Sequence, residues 1–384
     1  MTPSLVPVGP DYGFSLYVHW PYCARICPYC DFNVYAAKNR ETGPLLDAIC
    51  ADLRCQRARL PAHPPLHSIF FGGGTPSLLS AAAMARIIGE AEALFGLNAS
   101  CEISLEANPN DVSAASLRAW SAAGVNRVSL GIQALCDTAL TFLGRDHDAK
   151  TARQAAEAVA KVFDNFSLDL IYARPGQSLS DWRSELSEVL SLQPPHLSLY
   201  ELTIASATPF GRQVSRGEWA PADDERQADL YELTQKLCQE AGLPAYEVSN
   251  HARTPAFRSV HNQTYWSSGD WIGVGPGAHG RLSLAQGRVA TTTHRRPADY
   301  IRAPKGEDTP LSDLDVAREL VVMALRSSQG LELQRLRALH ADIANPGLAS
   351  EWNEQGLLEL TARKLTLTQT GWLLADHISA HLSP

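Results

Sequence analysis

The stretch His19-Trp20-Pro21-Tyr22-Cys23-Ala24-Arg25-Ile26-Cys27-Pro28-Tyr29-Cys30-Asp31-Phe32 places three thiols within eight residues. It follows directly on the apolar run Phe14–Trp20, which reads as a strand, so a single loop presents all three sulfurs at that strand's C-terminal end. Iron clusters favour thiolate ligands, and three of them on a four-iron cubane leave one iron without a protein ligand and open to chemistry. A structural zinc would ask for a fourth ligand. His19 is the nearest candidate, though its position on the strand makes this awkward. The bland alternative is three core cysteines that hold nothing.

Working outward, short apolar runs alternate with helical stretches. Strands are expected at Phe14–Trp20 and at residues 68–71, 101–105, 127–131, 167–171 and 196–200. Helices fall between them, at 44–59, 81–95, 113–123, 149–162 and 180–190, most of them opening on Ser, Thr or Asp. Six β-then-α repeats joined by short loops imply an α/β protein with a parallel sheet and outer helices, either curled into an incomplete barrel or left open. Both arrangements gather ligands at the C-terminal ends of the strands.

Beyond residue 204 the alternation weakens. A helix over 223–241, a short strand near 246–249 and a Gly-rich passage at 273–280 are followed by a proline-bearing, charged stretch, 295–309, which reads as a linker. Helices at 314–327 and 334–340, a small hairpin of 356–360 with 364–367 and a closing helix at 372–381 suggest a winged-helix-like unit. It lacks a cationic recognition helix. The expected organisation is a barrel over 1–210, an extension over 211–300 and a C-terminal domain over 310–384.

With 384 residues the chain exceeds what one core usually fills. Lys and Arg number 33 against 41 Asp and Glu, a formal charge of −8 with no basic block, which does not favour nucleic acid as a partner. The first residues lack the cationic and apolar regions of a secretory signal, and no run reaches membrane-spanning length, so a cytoplasmic protein is expected. Of eight cysteines, three cluster at 23–30. The others, Cys50, Cys55, Cys101, Cys136 and Cys238, read as small core residues.

Phe71-Gly72-Gly73-Gly74-Thr75-Pro76 follows the second strand, where glycine lets a backbone approach a ligand closely or simply makes a turn. Polar residues close later strands: Glu106 after the third, Gln133 after the fourth, Arg145 in Leu-Gly-Arg-Asp-His, and Asp169 inside an apolar fifth strand. Singly each could be structural, but several at one barrel mouth suit a ligand site. His261-Asn262-Gln263-Thr264-Tyr265-Trp266 offers an imidazole and two flat rings, or else a turn followed by core aromatics. Gly273, Gly275, Gly277 and Gly280 mimic a dinucleotide fingerprint but precede no helix, and read as a close-packed turn.

Cys-x3-Cys-x2-Cys after the first strand of a βα repeat resembles the radical SAM superfamily, and the glycine loop and polar strand ends extend the resemblance to nearly the whole chain. The resemblance implies an incomplete parallel (β/α)6 barrel with a [4Fe-4S] cluster on Cys23, Cys27 and Cys30. In that family the open iron binds the amino and carboxylate groups of S-adenosylmethionine (SAM), whose reductive cleavage gives a 5′-deoxyadenosyl radical. Tyr17, Gly73, Gly74, Thr75, Glu106, Gln133, Arg145 and Asp169 would line the SAM pocket, with Tyr29 near the cluster. Within the superfamily the sequence is similar to oxygen-independent coproporphyrinogen III oxidases and to the related HemW haem chaperones.

Two features separate those relatives. The oxidases resemble one another in a fourth cysteine two residues after the triad, where this chain has Phe32, and in a longer leading segment than the 22 residues before Cys23. His-Asn-x-x-Tyr-Trp matches a motif associated with HemW proteins and proposed to hold haem, which would make His261 a haem-binding residue. The resemblance thus implies a haem chaperone that passes haem to acceptor haemoproteins, among them membrane-associated respiratory enzymes, and that forms a homodimer without coproporphyrinogen oxidase activity. The alternatives are a true oxidase that decarboxylates propionates and a haem store with vestigial radical machinery.

Overall fold

A computed structural model describes residues 7–36, 42–60 and 62–384. The reading of the leading segment as free of a secretory signal rests largely on residues 1–6, outside the described residues. Strands β1 (Phe14–Trp20), β2 (Leu66–Gly73), β3 (Leu97–Ala107), β4 (Arg127–Gln133), β5 (Phe166–Tyr172) and β6 (His196–Glu201) lie side by side in chain order. All five of these pairings are parallel. Helices α1 (Thr42–Arg59), α2 (Ala81–Phe95), α3 (Ala114–Ala122), α4 (Asp137–Phe142), α5 (Ala149–Ala160) and α6 (Leu179–Ser191) fall in the crossovers. Most start on the expected caps: Ser80, Ser113, Asp148 and Ser178 each accept a backbone N–H from their own helix's first turn.

The sheet continues past these six. Strands β7 (Ala245–Glu247) and β8 (Asn250–Ala252) extend it beyond β6. On the other edge β9 (Asp270–Val274) joins β1 in parallel, followed by β10 (His279–Leu284), β11 (Gly287–Thr292) and β12 (Glu307–Pro310), all antiparallel. The resulting order is β12-β11-β10-β9-β1-β2-β3-β4-β5-β6-β8-β7.

Strand alternation explains where space is left. Leu16, Val18, Ile69, Phe71, Ile103, Leu105, Val128, Leu130, Leu168, Leu170 and Leu197 are buried in the apolar layer beneath the helices. The opposite face is polar in register: Ser15, Ser68 and Glu102 align, as do Glu106, Ser129, Ser167 and His196. Closed eight-stranded barrels fill this face with branched apolar side chains. Here it lines a cavity.

Helices α7 (Pro209–Ser215) and α8 (Asp224–Glu240) follow β6, and α9 (Val260–Trp266) carries the His261 motif. Residues 295–309 do not form the linker expected from their prolines and charges. They contain α10 (Pro297–Arg302) and most of β12. Tyr300 on α10 is fully buried, donates to Asp52 Oδ2 at 2.8 Å and accepts the Gly275 N–H at 2.9 Å. One buried aromatic thus outweighs the local composition.

A second core begins at α11 (Asp313–Leu325) and takes in α12 (Leu333–Ala338), α13 (Pro346–Glu354), α14 (Gln369–Trp372) and α15 (Ala375–Leu382). A small sheet of β13 (Leu331–Glu332), β15 (Lys364–Leu367) and β14 (Leu358–Leu360), in that order, completes the winged-helix-like unit. Its core also includes Val8 and Tyr231 from the larger part. Arg335 donates to Pro7 O and Ser267 O, both at 2.7 Å, and its guanidinium sits 3.7 Å from the Tyr12 ring centroid. No helix among the described residues is long and apolar enough to cross a membrane.

Two cysteine readings need correction. Cys50, Cys101 and Cys238 are buried as expected, but Cys55 and Cys136 are exposed. Cys55 lies on the solvent side of α1, and Cys136 occupies the N-cap of α4.

Candidate functional site

The parallel strands open onto a cavity of about 530 Å³. Cys23, Cys27, Cys30 and Tyr29 line it from the loop after β1, and Gly73, Gly74 and Thr75 from the end of β2 and the loop that follows. Glu106, Gln133, Arg145 and Asp169 line it from β3 to β5 and their loops, Tyr17 from β1, and His261 from α9. The structure therefore brings all the residues expected at a ligand site into one space.

The cysteine loop is held by backbone. Gly74 N donates to Trp20 O at 2.7 Å and Thr75 N to Tyr22 O at 2.9 Å, so the glycine loop lies directly on the cysteine loop. A side chain at Gly74 would meet those same carbonyls at 2.8 Å. Gly73 has φ +107, and a Cβ there would lie 2.5 Å from the His19 ring. The Gly273–Gly280 passage closes the other side: a Cβ on Gly275 would stand 2.2 Å from His19 O, and the Asn33 amide donates to Pro276 O and Arg295 O at 2.8 Å. It is the close-packed turn expected from the sequence.

His19 is committed elsewhere than to a metal. Its Nε2 is 2.9 Å from Asn33 O, a carbonyl that can only accept, so Nε2 carries the hydrogen. Nδ1 then accepts from the Tyr17 hydroxyl at 3.0 Å. With both nitrogens used, His19 cannot complete a zinc site in this arrangement. Three thiols facing one cavity, with His19 committed elsewhere, fit a cluster with an open iron.

Arg145 supplies positive charge at the sulfurs. Its Nη1 lies 3.4 Å from Cys27 Sγ and 3.5 Å from the Tyr29 hydroxyl, while Nη2 donates to Asn108 Oδ1 at 2.5 Å and Gly131 O at 3.3 Å. Burial pushes the Cys30 thiol up to about 11, and the neighbouring Cys23 and Cys27 sulfurs push the same way. A cation bound among the three would reverse that balance.

Two carboxylates face the middle of the cavity. Glu106 accepts the Gly73 N–H at 3.1 Å, and burial, with Asp169 adding to it, pushes its carboxyl up to about 7. Asp169 accepts from Ser129 at 2.7 Å and Ser167 at 2.8 Å, and burial raises it too. Both acids favour a donor-bearing or cationic ligand. Gln133 ends β4 at φ 62, beyond an irregularity in the β4–β5 register, a strained backbone for a non-glycine residue.

Several lining residues escaped the sequence reading. Asn108 couples Arg145 to Thr75, donating to Thr75 Oγ1 at 3.3 Å. Its only signal is its place two residues after Glu106. Arg127, whose Nη1 donates to Asn165 Oδ1 and Phe257 O at 2.8 Å, and His196 line the deeper wall. Their signal was the odd-even alternation of polar residues within apolar strands. Asn262 enters from α9, as does Tyr265, one of the two flat rings that the sequence reading did single out in the His261 motif.

His261 itself is 1% exposed. Its Nδ1 is 2.9 Å from Ser68 Oγ and its Nε2 is 2.7 Å from the Tyr265 hydroxyl. Phe70 stacks on it at 5.0 Å and 24°. This arrangement offers no free imidazole nitrogen to an iron.

A parallel βα half-barrel with a three-cysteine loop at its mouth defines a radical SAM protein. Residues 17–188 match the Radical SAM superfamily model, and residues 311–374 match the HemN C-terminal domain. The protein named Heme chaperone HemW from Mycobacterium tuberculosis is 36% identical over 98% of this chain and 96% of its own. Its namesake from Escherichia coli K12 is 40% identical over 73% of this chain and 74% of its own. Radical S-adenosyl methionine domain-containing protein 1, mitochondrial, of Bos taurus is 36% identical over 95% and 86%. Among solved structures, coproporphyrinogen III oxidase (HemN) from Escherichia coli superposes with a TM-score of 0.80 over 98% of this chain and 91% of that one, at 20% identity. That likeness shows a shared fold. The chain belongs to the HemW family of the radical SAM superfamily.

Proposed function

We propose that this protein binds haem and passes it to acceptor haemoproteins, and that its barrel mouth holds a [4Fe-4S] cluster with SAM. The observation that carries the reading is near full-length likeness to proteins named heme chaperones, across both domains. Cys23, Cys27 and Cys30 would hold the cluster. The Arg145 guanidinium would stabilise the Cys27 thiolate. Glu106 and Asp169 would accept hydrogen bonds from the ammonium and hydroxyl groups of SAM. The Gly73 and Gly74 backbone, Thr75 and Gln133 would shape its berth, with Tyr17 below and Tyr29 beside the cluster. When bound, the cluster and SAM together supply the capacity for one-electron reductive cleavage of SAM.

Phe32, 62% exposed on the cysteine loop, stands where the oxidases resemble one another in a further cysteine. This favours the chaperone reading over propionate decarboxylation. A cytoplasmic location and acceptors that include membrane-associated respiratory enzymes are part of the same proposal, as is a homodimer.

The test is anaerobic incubation of the cluster-loaded chain with coproporphyrinogen III, SAM and a reductant, alongside a haem titration followed at the Soret band. Haem binding without protoporphyrinogen is the expected result. Sustained formation of protoporphyrinogen would overturn the proposal.

A further inference from the structure

The helix that carries the His261 motif forms the base of the barrel. The Val260 N–H donates to Glu102 Oε1 at 3.1 Å, the Ser259 N–H to the Tyr246 hydroxyl at 3.1 Å, and Thr264 nests where Gly13 and Gly269 leave room for it. From this base His261 and Tyr265 reach the cavity, against the rings of Phe70 and Tyr17.

The hydrogens around His261 can be assigned one by one. Thr264 spends its single hydroxyl hydrogen on Val260 O at 3.2 Å. Ser15, 2.8 Å from Thr264 Oγ1, must therefore donate to it. Ser68 donates to Ser15 at 2.9 Å. With its hydrogen used, Ser68 can only accept from His261, so Nδ1 carries the imidazole hydrogen. Nε2 is then the lone-pair nitrogen, and it accepts from the Tyr265 hydroxyl. The chain runs His261 to Ser68 to Ser15 to Thr264 to the Val260 carbonyl, every hydrogen in one direction, and returns to the helix where it began.

We infer that His261 is a positioning residue of the barrel floor, which holds the Tyr265 hydroxyl and the Tyr17–Phe70 ring pair against the SAM cavity, and is not an axial ligand to haem iron. An axial ligand needs a free lone pair and an approach for a porphyrin. Here the lone pair is bonded and the imidazole is buried at the base of a cavity that, on the proposed function, already holds the cluster and SAM. With its hydrogen turned to His261, Tyr265 keeps its phenol oxygen as an acceptor for a ligand donor in that cavity. The inference rests on the SAM half of the proposed function and leaves the site of haem elsewhere on the chain.

The test uses the full cluster-loaded chain and the variants His261→Ala, His261→Asn and Tyr265→Phe, with two readouts. Retention of radiolabelled SAM in equilibrium dialysis should weaken about five- to tenfold in His261→Ala and Tyr265→Phe, the scale of one lost buried hydrogen bond. His261→Asn, whose amide can still donate to Ser68, should recover part of that loss. Haem affinity and the Soret maximum should stay within about twofold and unshifted in all three. Soret shifts with roughly tenfold weaker haem binding in both His261 variants would overturn the inference. So would unchanged SAM retention in Tyr265→Phe, a variant that keeps the imidazole and decides the matter even if His261→Ala fails to fold. If wild type binds no haem, the chaperone proposal fails, while the SAM readout still decides the role of His261.

Discussion

The Arg145 guanidinium lies 3.4 Å from the Cys27 sulfur, on an arm anchored at its other end to Asn108 Oδ1. A cationic donor on a cluster thiolate favours the reduced, more negative cluster. Replacing Arg145 with Ala should lower the cluster's reduction potential, by tens of millivolts as an order of magnitude, while leaving the iron content of reconstituted protein near that of wild type. A redox titration followed by electron paramagnetic resonance measures this. An unchanged potential would mean that the contact does not reach the cluster's electronics.

Gly73 lies under the cysteine loop with a backbone only glycine adopts freely, and with the His19 ring in the place of a Cβ. Gly73→Ala should cost about 1–3 kcal/mol in stability from the backbone alone, with ring displacement in addition. The expected readout is a fall in Tm together with loss of cluster on reconstitution. Gly176→Ala is the control, because its φ is also positive but nothing lies within 4 Å of a Cβ there.

Burial of Asp52 sets the sign of a pH dependence. Burial pushes its carboxyl up to about 7, against an ordinary value of 3.8. The folded state therefore holds this proton more tightly than the unfolded chain. The associated stability is fully present below about pH 4 and is lost as pH rises through about 7. Asp52→Asn should flatten that part of the stability profile, on the order of a few kcal/mol between the limits. Denaturant unfolding at pH 5, 6, 7 and 8 checks it, and an identical slope in the variant would rule Asp52 out as the source.

Arg335 ties three parts of the molecule, with two carbonyls and the Tyr12 ring around one buried guanidinium. Arg335→Ala should cost about 2–4 kcal/mol, and Arg335→Lys should recover little, because an ammonium cannot bridge both carbonyls and stack on the ring. Limited proteolysis near residues 7–12 should accelerate in both variants. Wild-type cleavage rates would contradict the clamp.

The sequence made the half-barrel legible because each strand and helix announces itself locally, by an apolar run or by a cap such as Ser80 or Ser178. The cysteine loop and Gly73 were legible for the same reason. What escaped depends on distant partners. Ser68 and His261 stand 193 positions apart and Asp52 and Tyr300 stand 248 apart, so nothing in either neighbourhood reveals the contact. Residues 295–309 looked like a linker because prolines and charges dominate them, while one tyrosine decides their fate. Cys55 looked like a core residue, but only the facing of α1 distinguishes it from Cys50. The His261 motif was readable as a pattern, and its surroundings were not.

The base of the barrel has a consequence for dissecting the protein. Helix α9 faces the cavity on one side and packs against α11 of the C-terminal core on the other. The partition between the two halves is therefore also the bottom of the cavity. Cutting the chain at the apparent seam near residue 311 would not release an intact barrel. It would strip the backing from its lowest wall and expose the outer side of α9 to water.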